Sequence, residues 1–294
     1  MKTSINTNTV LGNTGKTSIV LPTFSYVCPD PDAVAFLSAA GVTDALSVYA
    51  VCTLVTDLKT AGLWTKMTAV YPFVGSTPAS HKFNLINPAD SDAAKRLVFN
   101  GGIIHSSTGA LPNGVNGYAN TFVNSDITNF PIPDYISFSY YSRTPGSHVT
   151  GGNVIGSFGN PAVQATSARL LIRFVGNPNS SISVINYPDG IQPNASTTTD
   201  TDGSGYYIGT RTSSASKLFI RGILRGSASG GTTTFSPPPV DMYLFAYNNR
   251  GISALNFTNK ECAFAHIGKG LSDAECVTLS TIVDNFQTTL GRNV

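Results

Sequence analysis

ECAFAHIGKGLSDAECVTLSTIVDNFQTTLGRNV, residues 261–294, contains a strand, a turn and a helix in that order. Cys262, Phe264 and His266 alternate with Ala263, Ala265 and Ile267, the period-two pattern of a strand buried on at least one face, and Gly268 and Gly270 break the run. Ser272 is suited to cap a helix. Glu275, three residues on, can reach back to the Ser272 amide, and Leu271 and Cys276 stand in the positions of a hydrophobic staple. A helix therefore begins at Asp273, with Cys276, Leu279, Val283, Phe286 and Leu290 as one apolar stripe and Gly291 as its stop.

Upstream, two more helices are predicted. Asp30 caps the first, with Pro31 at its first position and Gly41 at its end. The second starts near Thr43, and Leu46, Ala50, Val51, Leu54, Val55 and Leu58 form its inward stripe. Trp64 is expected to anchor a core rather than to stack on a sugar, because Leu63 and Met67 beside it are also apolar. From residue 97 the pattern changes to short strands, at 97–99, 117–122, 135–143, 154–158, 169–175, 181–185, 205–212, 216–221, 242–247 and 261–267. Ile136, Phe138 and Tyr140 alternate with Ser137, Ser139 and Tyr141, which gives that strand one dry face. Turn signals separate the strands, among them 112–114, Asp189-Gly190 and Asp202-Gly203. Residues 226–239, GSASGGTTTFSPPP, are expected to form a loop. Ten strands without βαβ alternation predict a two-sheet sandwich. Three units follow: an arm at 1–27, either disordered or ordered against a neighbour, a small helical attachment region at 28–96 packed on the sandwich, and the sandwich with its closing helix at 97–294.

Composition narrows the function. Only 12% of the 294 residues are charged and the formal net charge is +2. With Lys and Arg dispersed, no basic stripe marks a nucleic-acid partner. No apolar run is long enough to span a bilayer, and KTSINTNTV after Met1 is too polar for the core of a secretory leader. Cys28, Cys52, Cys262 and Cys276 lack metal-ligand spacing. They are read as buried free thiols.

Several stretches together are similar to one family. KLFIRGILRGS (217–227) and DMYLFAYNNRG (241–251) resemble strands of laminin-G-like and concanavalin A-like domains. GLWTKM (62–67) with YPFVG (71–75), GALPNG (109–114) with NGYA (116–119), and the closing strand and helix resemble bacteriophage virion structural proteins that carry such a domain. The resemblance covers the chain from about Asp30 onward. It implies a mainly β, concanavalin A-like (jelly-roll) sandwich with an N-terminal helical hairpin and a C-terminal amphipathic helix. It further implies a virion location, other virion proteins and sister copies as partners, a homo-oligomer, and host surface glycans as ligands.

Concanavalin A-like glucanases place paired carboxylates on one strand in a Glu-x-Asp-x-x-Glu run, and glycoside hydrolysis needs two such groups. This chain has two glutamates, Glu261 and Glu275, and the second is already a helix cap. His81, His105, His148 and His266 are scattered and no Gly-x-Ser-x-Gly elbow occurs. The expectation is a protein without catalysis and without a resident cofactor. One open alternative is calcium on a shallow loop through Asp200 and Asp202. The run Asp200-Thr201-Asp202-Gly203 resembles the first half of an oxygen-ligand loop, but Arg211 stands where an EF-hand needs its glutamate, and an ordinary Asp/Gly turn is the simpler reading. Sugar binding stacks an aromatic face on a pyranose beside amide donors. Tyr118, Tyr206, Tyr207, Tyr247, Asn248 and Asn249 are the candidates.

Overall fold

The computed structural model describes residues 27–124, 136–146, 152–159, 169–176, 179–186, 194–197, 202–212, 215–229 and 240–294. The chain opens with helices α1 (Pro31–Ala40) and α2 (Ala45–Thr60), strand β1 (Met67–Tyr71) and the one-turn helix α3 (Pro78–His81). Strands β2 (Val98–Asn100), β3 (Ile103–Ser106), β4 (Gly109–Pro112), β5 (Tyr118–Asn124), β6 (Ile136–Ser142), β7 (Asn153–Phe158), β8 (Arg169–Gly176), β9 (Asn179–Asn186) and β10 (Asn194–Thr197) follow. The rest is β11 (Gly205–Thr212), β12 (Ala215–Ile220), β13 (Ile223–Ser229), β14 (Asp241–Leu244), β15 (Tyr247–Asn249), β16 (Ser253–Leu255), β17 (Cys262–Lys269) and helix α4 (Asp273–Thr289). Among the described residues one sheet has the order β13-β12-β11-β6-β17-β4-β3, with β1 also on β17. The other runs β10-β9-β8-β7-β14-β5-β2, with β15 beside β7 and β16 beside β15. All but the β15–β7 contact are antiparallel. This is a jelly-roll sandwich of the concanavalin A-like class.

Two apolar cores make it a three-layer structure. Ile136, Phe138, Tyr140, Tyr207, Leu218, Ala265 and Ile267 from the first sheet meet Val123, Ile155, Leu170, Ile172, Met242 and Leu244 from the second. On the opposite side of the first sheet, Val70, Tyr141, Tyr206, Ile208, Phe219 and Phe264 meet α1, α2 and α4 through Phe36, Leu54, Val55, Leu58, Leu279, Val283 and Phe286. The centre of the first sheet, β6, β11 and β17, is therefore a middle layer that is dry on both faces, whereas β13 at its edge is exposed. Every residue of β6 is buried, so its serine face is covered as well as the dry face that alternation reveals.

Serine is tolerated there because its hydroxyls are used. The His266 amide donates to Ser139 Oγ at 3.1 Å, and Tyr206 Oη donates to the same oxygen at 2.8 Å. Ser137 Oγ donates to the Lys269 carbonyl at 2.7 Å and lies 3.0 Å from His266 Nε2. Nε2 thus carries the proton, and Nδ1 accepts from Ser139 Oγ at 2.5 Å. The imidazole is satisfied only when neutral, and burial holds its pKa down at about 3.

The closing helix follows its sequence. Ser272 accepts from the Glu275 amide and the Glu275 carboxylate accepts from the Ser272 amide, a reciprocal capping box. Cys276, Leu279, Val283 and Phe286 are buried, and Gly291 takes the left-handed φ of 65°. Beyond it, the buried Arg292 guanidinium donates to Gln287 Oε1 and to the carbonyls of Pro72, Phe73, Ser107 and Ala263. One side chain so ties the end of the chain to the segment after β1 and to β17. Burial lowers its pKa to about 9, which leaves it charged at neutral pH.

In the hairpin, Asp30 accepts from the Asp32 and Ala33 amides, and Gly41 ends α1 at φ 64°. Asp44 caps α2 through the Ser47 amide. Leu46 departs from its predicted place: it is 52% exposed in the first turn of α2, at the rim of a cavity that Leu290 also lines. Trp64 packs at the edge of the helical core under Lys59. Cys28 and Cys52 form a disulfide, which corrects the free-thiol expectation for that pair, whereas Cys262 and Cys276 are buried free thiols. The bridge closes a link 24 residues apart in sequence, a separation that carried no spacing motif. β13 occupies 223–229, so the start of the predicted 226–239 loop is strand, and 230–239 lie outside the described residues. The Asp189-Gly190 turn and almost all of the N-terminal arm also lie outside them.

Two outcomes follow. Reduction of the Cys28–Cys52 bridge, or Cys52→Ser, is expected to cost roughly 3 kcal/mol through loop-closure entropy, read as a lower urea midpoint; an unchanged midpoint would refute it. His266 and His81, the latter also held near 3 by burial, are neutral in the fold but protonate near the usual 6.5 when unfolded. Their contribution is complete above that pH and is lost as pH falls toward 3, with a limiting slope of about 1.4 kcal/mol per pH unit for each. Unfolding free energies should begin to fall as pH drops below about 6.5 and approach that slope between about pH 5.5 and 4, and His266→Gln should remove its share.

Candidate functional site: an aromatic face on the outer sheet

Among the described residues the helices cover one face of the middle sheet and the second sheet covers the other, which leaves the outward face of the second sheet as a broad uncovered surface. Alternation places residues there. On β5, Ala119, Thr121 and Val123 point inward and are buried, which turns Tyr118 and Asn120 outward. On β14, Met242 and Leu244 are buried and Asp241 and Tyr243 turn outward. Register puts Tyr243 opposite Asn120.

The result is an aromatic cluster with a polar rim. Tyr118 and Tyr243 stack at 4.9 Å with 27° between their planes, and Phe257 lies 6.4 Å from Tyr118. Asn120 Nδ2 donates to Asp241 Oδ2 at 3.2 Å, while Asn120 Oδ1 accepts from the Phe122 amide at 2.9 Å. Burial, then Tyr118 and Asp241, raise the pKa of the Tyr243 phenol, which stays protonated. Half-buried rings beside a carboxylate and an amide can stack on the apolar face of a pyranose and hydrogen-bond its hydroxyls.

Of the six sugar candidates, Tyr118 alone stands in this cluster. Tyr206 and Tyr207 are both fully buried, which corrects their assignment to a binding surface. Tyr206 belongs to the His266 network. Tyr207 lies between the sheets, edge-on to Phe174 at 4.7 Å. Asn248, the middle residue of β15, is buried, donating to the Asp241 carbonyl and accepting from the Gly251 amide, so its amide is also engaged. Tyr247, edge-on to Phe158 at 6.3 Å, and Asn249, paired with Ser253, are half-buried on β15. Tyr243, Asn120, Asp241 and Phe257 went unread in sequence. Period two along 241–244 and 118–124 was the available signal for the first three; Phe257 had none.

Asp200 lies outside the described residues. Asp202 Oδ2 accepts from Arg221 at 2.5 Å and from Ser204 Oγ at 2.7 Å, and these partners, Ser204 first, hold its carboxyl below the usual range. Next to this turn the buried Lys260 ammonium donates to the carbonyls of Thr144, Pro145 and Gly146. An oxygen cage of this kind could hold a metal ion, and here a lysine fills it.

The remaining titratable groups serve structure. Glu261 accepts from Thr108 Oγ1 at 2.5 Å and pairs with Arg143 at 2.9 Å. His81 and His105 face each other through their Nδ1 atoms at 2.9 Å. His81 Nε2 is buried without a hydrogen-bond partner, so the favoured tautomer protonates His81 Nδ1 and leaves a bare acceptor rather than a bare N–H. Burial, then His105 and Arg292, depress His81, and burial depresses His105. His148 lies outside the described residues. Among the described residues no group of three or more His, Cys, Asp or Glu is placed to hold a metal ion, and no helix is long and apolar enough to cross a membrane. A cavity of about 380 Å³ at the α1–α2 turn, lined by Val42, Asp44, Leu46, Leu290 and Arg292, brings no pair of catalytic groups together.

The class defined by these layers is a lectin-like jelly-roll β-sandwich. No protein-family model matches the sequence. No curated protein matches it either. Among solved structures, the chain is similar to the receptor binding domain of botulinum neurotoxin C/D mosaic serotype, at 9% identity and TM-score 0.49 over 74% of this chain and 51% of that one. It is also similar to domain 4 of the extracellular arabinanase AbnA from Geobacillus stearothermophilus, at 16% identity and TM-score 0.40 over 73% and 98%. A third is the Ruminococcus gnavus IT-sialidase CBM40 bound to α2,3-sialyllactose, at 14% identity and TM-score 0.39 over 49% and 80%. The chain spans about half the length of the toxin domain it matches. The fold assignment rests on its own two sheets and their order.

Lys260 already places a positive charge among the carbonyls at this loop end. Calcium titration should give no heat and no shift in melting temperature, whereas Lys260→Met should lower that temperature by several degrees. Calcium-dependent stabilisation of the wild type would refute the first, and an unchanged Lys260→Met melt the second.

Proposed function

We propose that this chain is a bacteriophage virion structural protein, a surface decoration, spike or fibre subunit, whose lectin-like sandwich recognises glycans without hydrolysing them. The observation that carries the glycan part is the stacked Tyr118–Tyr243 pair, with Asn120 and Asp241 at its rim, on the broad sheet face that the helices leave open. The virion part is supported by the resemblance of the blocks at 62–75, 109–119 and 263–292 and by the low charge of the chain. In this reading other virion proteins and sister copies are its partners and host surface glycans its ligands.

Absence of catalysis is part of the same proposal. Both glutamates are committed, Glu261 to Arg143 and Thr108, and Glu275 to Lys66 and the Ser272 cap. A second reading, a receptor-binding adhesin whose main task is host adsorption, is favoured by the same aromatic face. The two separate by location. A decoration protein is retained on purified particles and does not bind host cells, whereas an adhesin binds the cells as a purified protein.

On a glycan array the wild-type chain should bind above background and Tyr243→Ala should lose at least tenfold in apparent affinity while melting as the wild type does. Equal binding by the variant would remove the aromatic face from the reading, and an empty array would remove glycans from it. Release of reducing sugar from host polysaccharide would overturn the non-catalytic assignment.

A further inference from the structure

Among the described residues β3 is the last strand of the middle sheet and pairs with β4 alone. Its hydrogen-bond parity can be read. The Asn113 amide donates to the Gly102 carbonyl at 3.0 Å, and Pro112, which has no amide proton, stands opposite Ile103. Bonding alternates along an antiparallel ladder. Gly102, Ile104 and Ser106 therefore turn their backbone groups toward β4, and Ile103 and His105 turn theirs away from it. Natural edge strands are commonly guarded by lysine, proline or a bulge. β3, Ile-Ile-His-Ser, has none of these. Its Ile104 side chain is 69% exposed, and Leu111, across from it on β4, is 37% exposed.

We propose that β3 is the docking edge for a second copy of this chain, which pairs its own β3 antiparallel about a two-fold axis at Ile104. In that register Ile103 of each copy faces His105 of the other, and each outward N–H meets an outward carbonyl. Ile104 falls opposite Ile104 of the second copy as a non-hydrogen-bonded pair, the closer of the two spacings at about 4.5 Å between Cα atoms. The two Leu111 side chains extend the contact into a four-residue apolar strip. Moving the axis to Ile103 or His105 leaves one bonding residue without a strand residue opposite it. β3 and β4 carry no acidic or basic side chain apart from His105, whose pKa is lowered by burial, so two copies meet without like-charge repulsion. A four-residue strand contact is short, so the dimer is expected to form only with rising concentration.

The test is sedimentation equilibrium of the full chain from micromolar to near-millimolar concentration, with two variants. The wild type should shift from monomer to dimer. Ile104→Lys, at an exposed site, should remain monomeric with an unchanged melting temperature, and Ile104→Cys should give a reducible covalent dimer under mild oxidation. A wild type that stays monomeric overturns the proposal. So does a dimer that survives Ile104→Lys and is not trapped by Ile104→Cys, since it uses another surface. Dimerisation only after removal of residues 1–26 also overturns it, because the arm then occupies the edge.

Discussion

The centre of the middle sheet, strands β6, β11 and β17, is dry on both faces, and most of the chain's other features answer to that. A sandwich alone would leave one face of β6, β11 and β17 in water. Here that face carries Tyr141, Tyr206, Ile208, Phe219 and Phe264, and α1, α2 and α4 lie across it. The polar groups caught under the helices are then required to satisfy one another. Ser137, Ser139, Tyr206 and His266 do so in one network with a neutral imidazole. An unpaired buried donor costs about 1–3 kcal/mol, so this network fixes which strand lies beside which and in what register.

Two buried cations hold the periphery in a similar way. Arg292 gathers carbonyls from the segment after β1, from the segment before β4 and from β17, and thereby locks the chain end over the sheet. Lys260 gathers three carbonyls of the turn after β6, beside the Asp202 turn. Both are main-chain cages closed by side-chain charge. Among the described residues the helical layer covers the centre of the middle sheet, which leaves the Tyr118–Tyr243 face of the outer sheet and sheet edges such as β3 uncovered.

Legibility in the sequence followed the range of the interactions. The capping box at Ser272 and Glu275, the Asp30 cap with Pro31, and Gly41 and Gly291 as stops are contacts within a few residues and were read at their true places. So were ten strands, because alternation and turn residues are local. The strands that were missed, β1, β3, β4, β10, β13, β15 and β16, are mostly three to five residues long, too short for a period to register. On β6, period two reports that two faces differ, not what covers the polar one, and the serine face is buried too. Leu46 fits the helical stripe yet is exposed, since a helical period does not report what covers each turn.

The sequence by itself determined the helices with their caps, the longer strands and the sandwich class, since these follow from local periodicity and turn residues. Tertiary structure alone decided which aromatics face outward. Tyr206 and Tyr207 are adjacent in a Gly-Tyr-Tyr strand and both are interior, because that strand is covered above and below. Tyr118 and Tyr243 are 125 positions apart and stack because β5 and β14 are neighbours in register. The Cys28–Cys52 bridge and the His81–His105 contact were settled the same way. Pairings of this kind depend on long-range packing, to which local periodicity is blind.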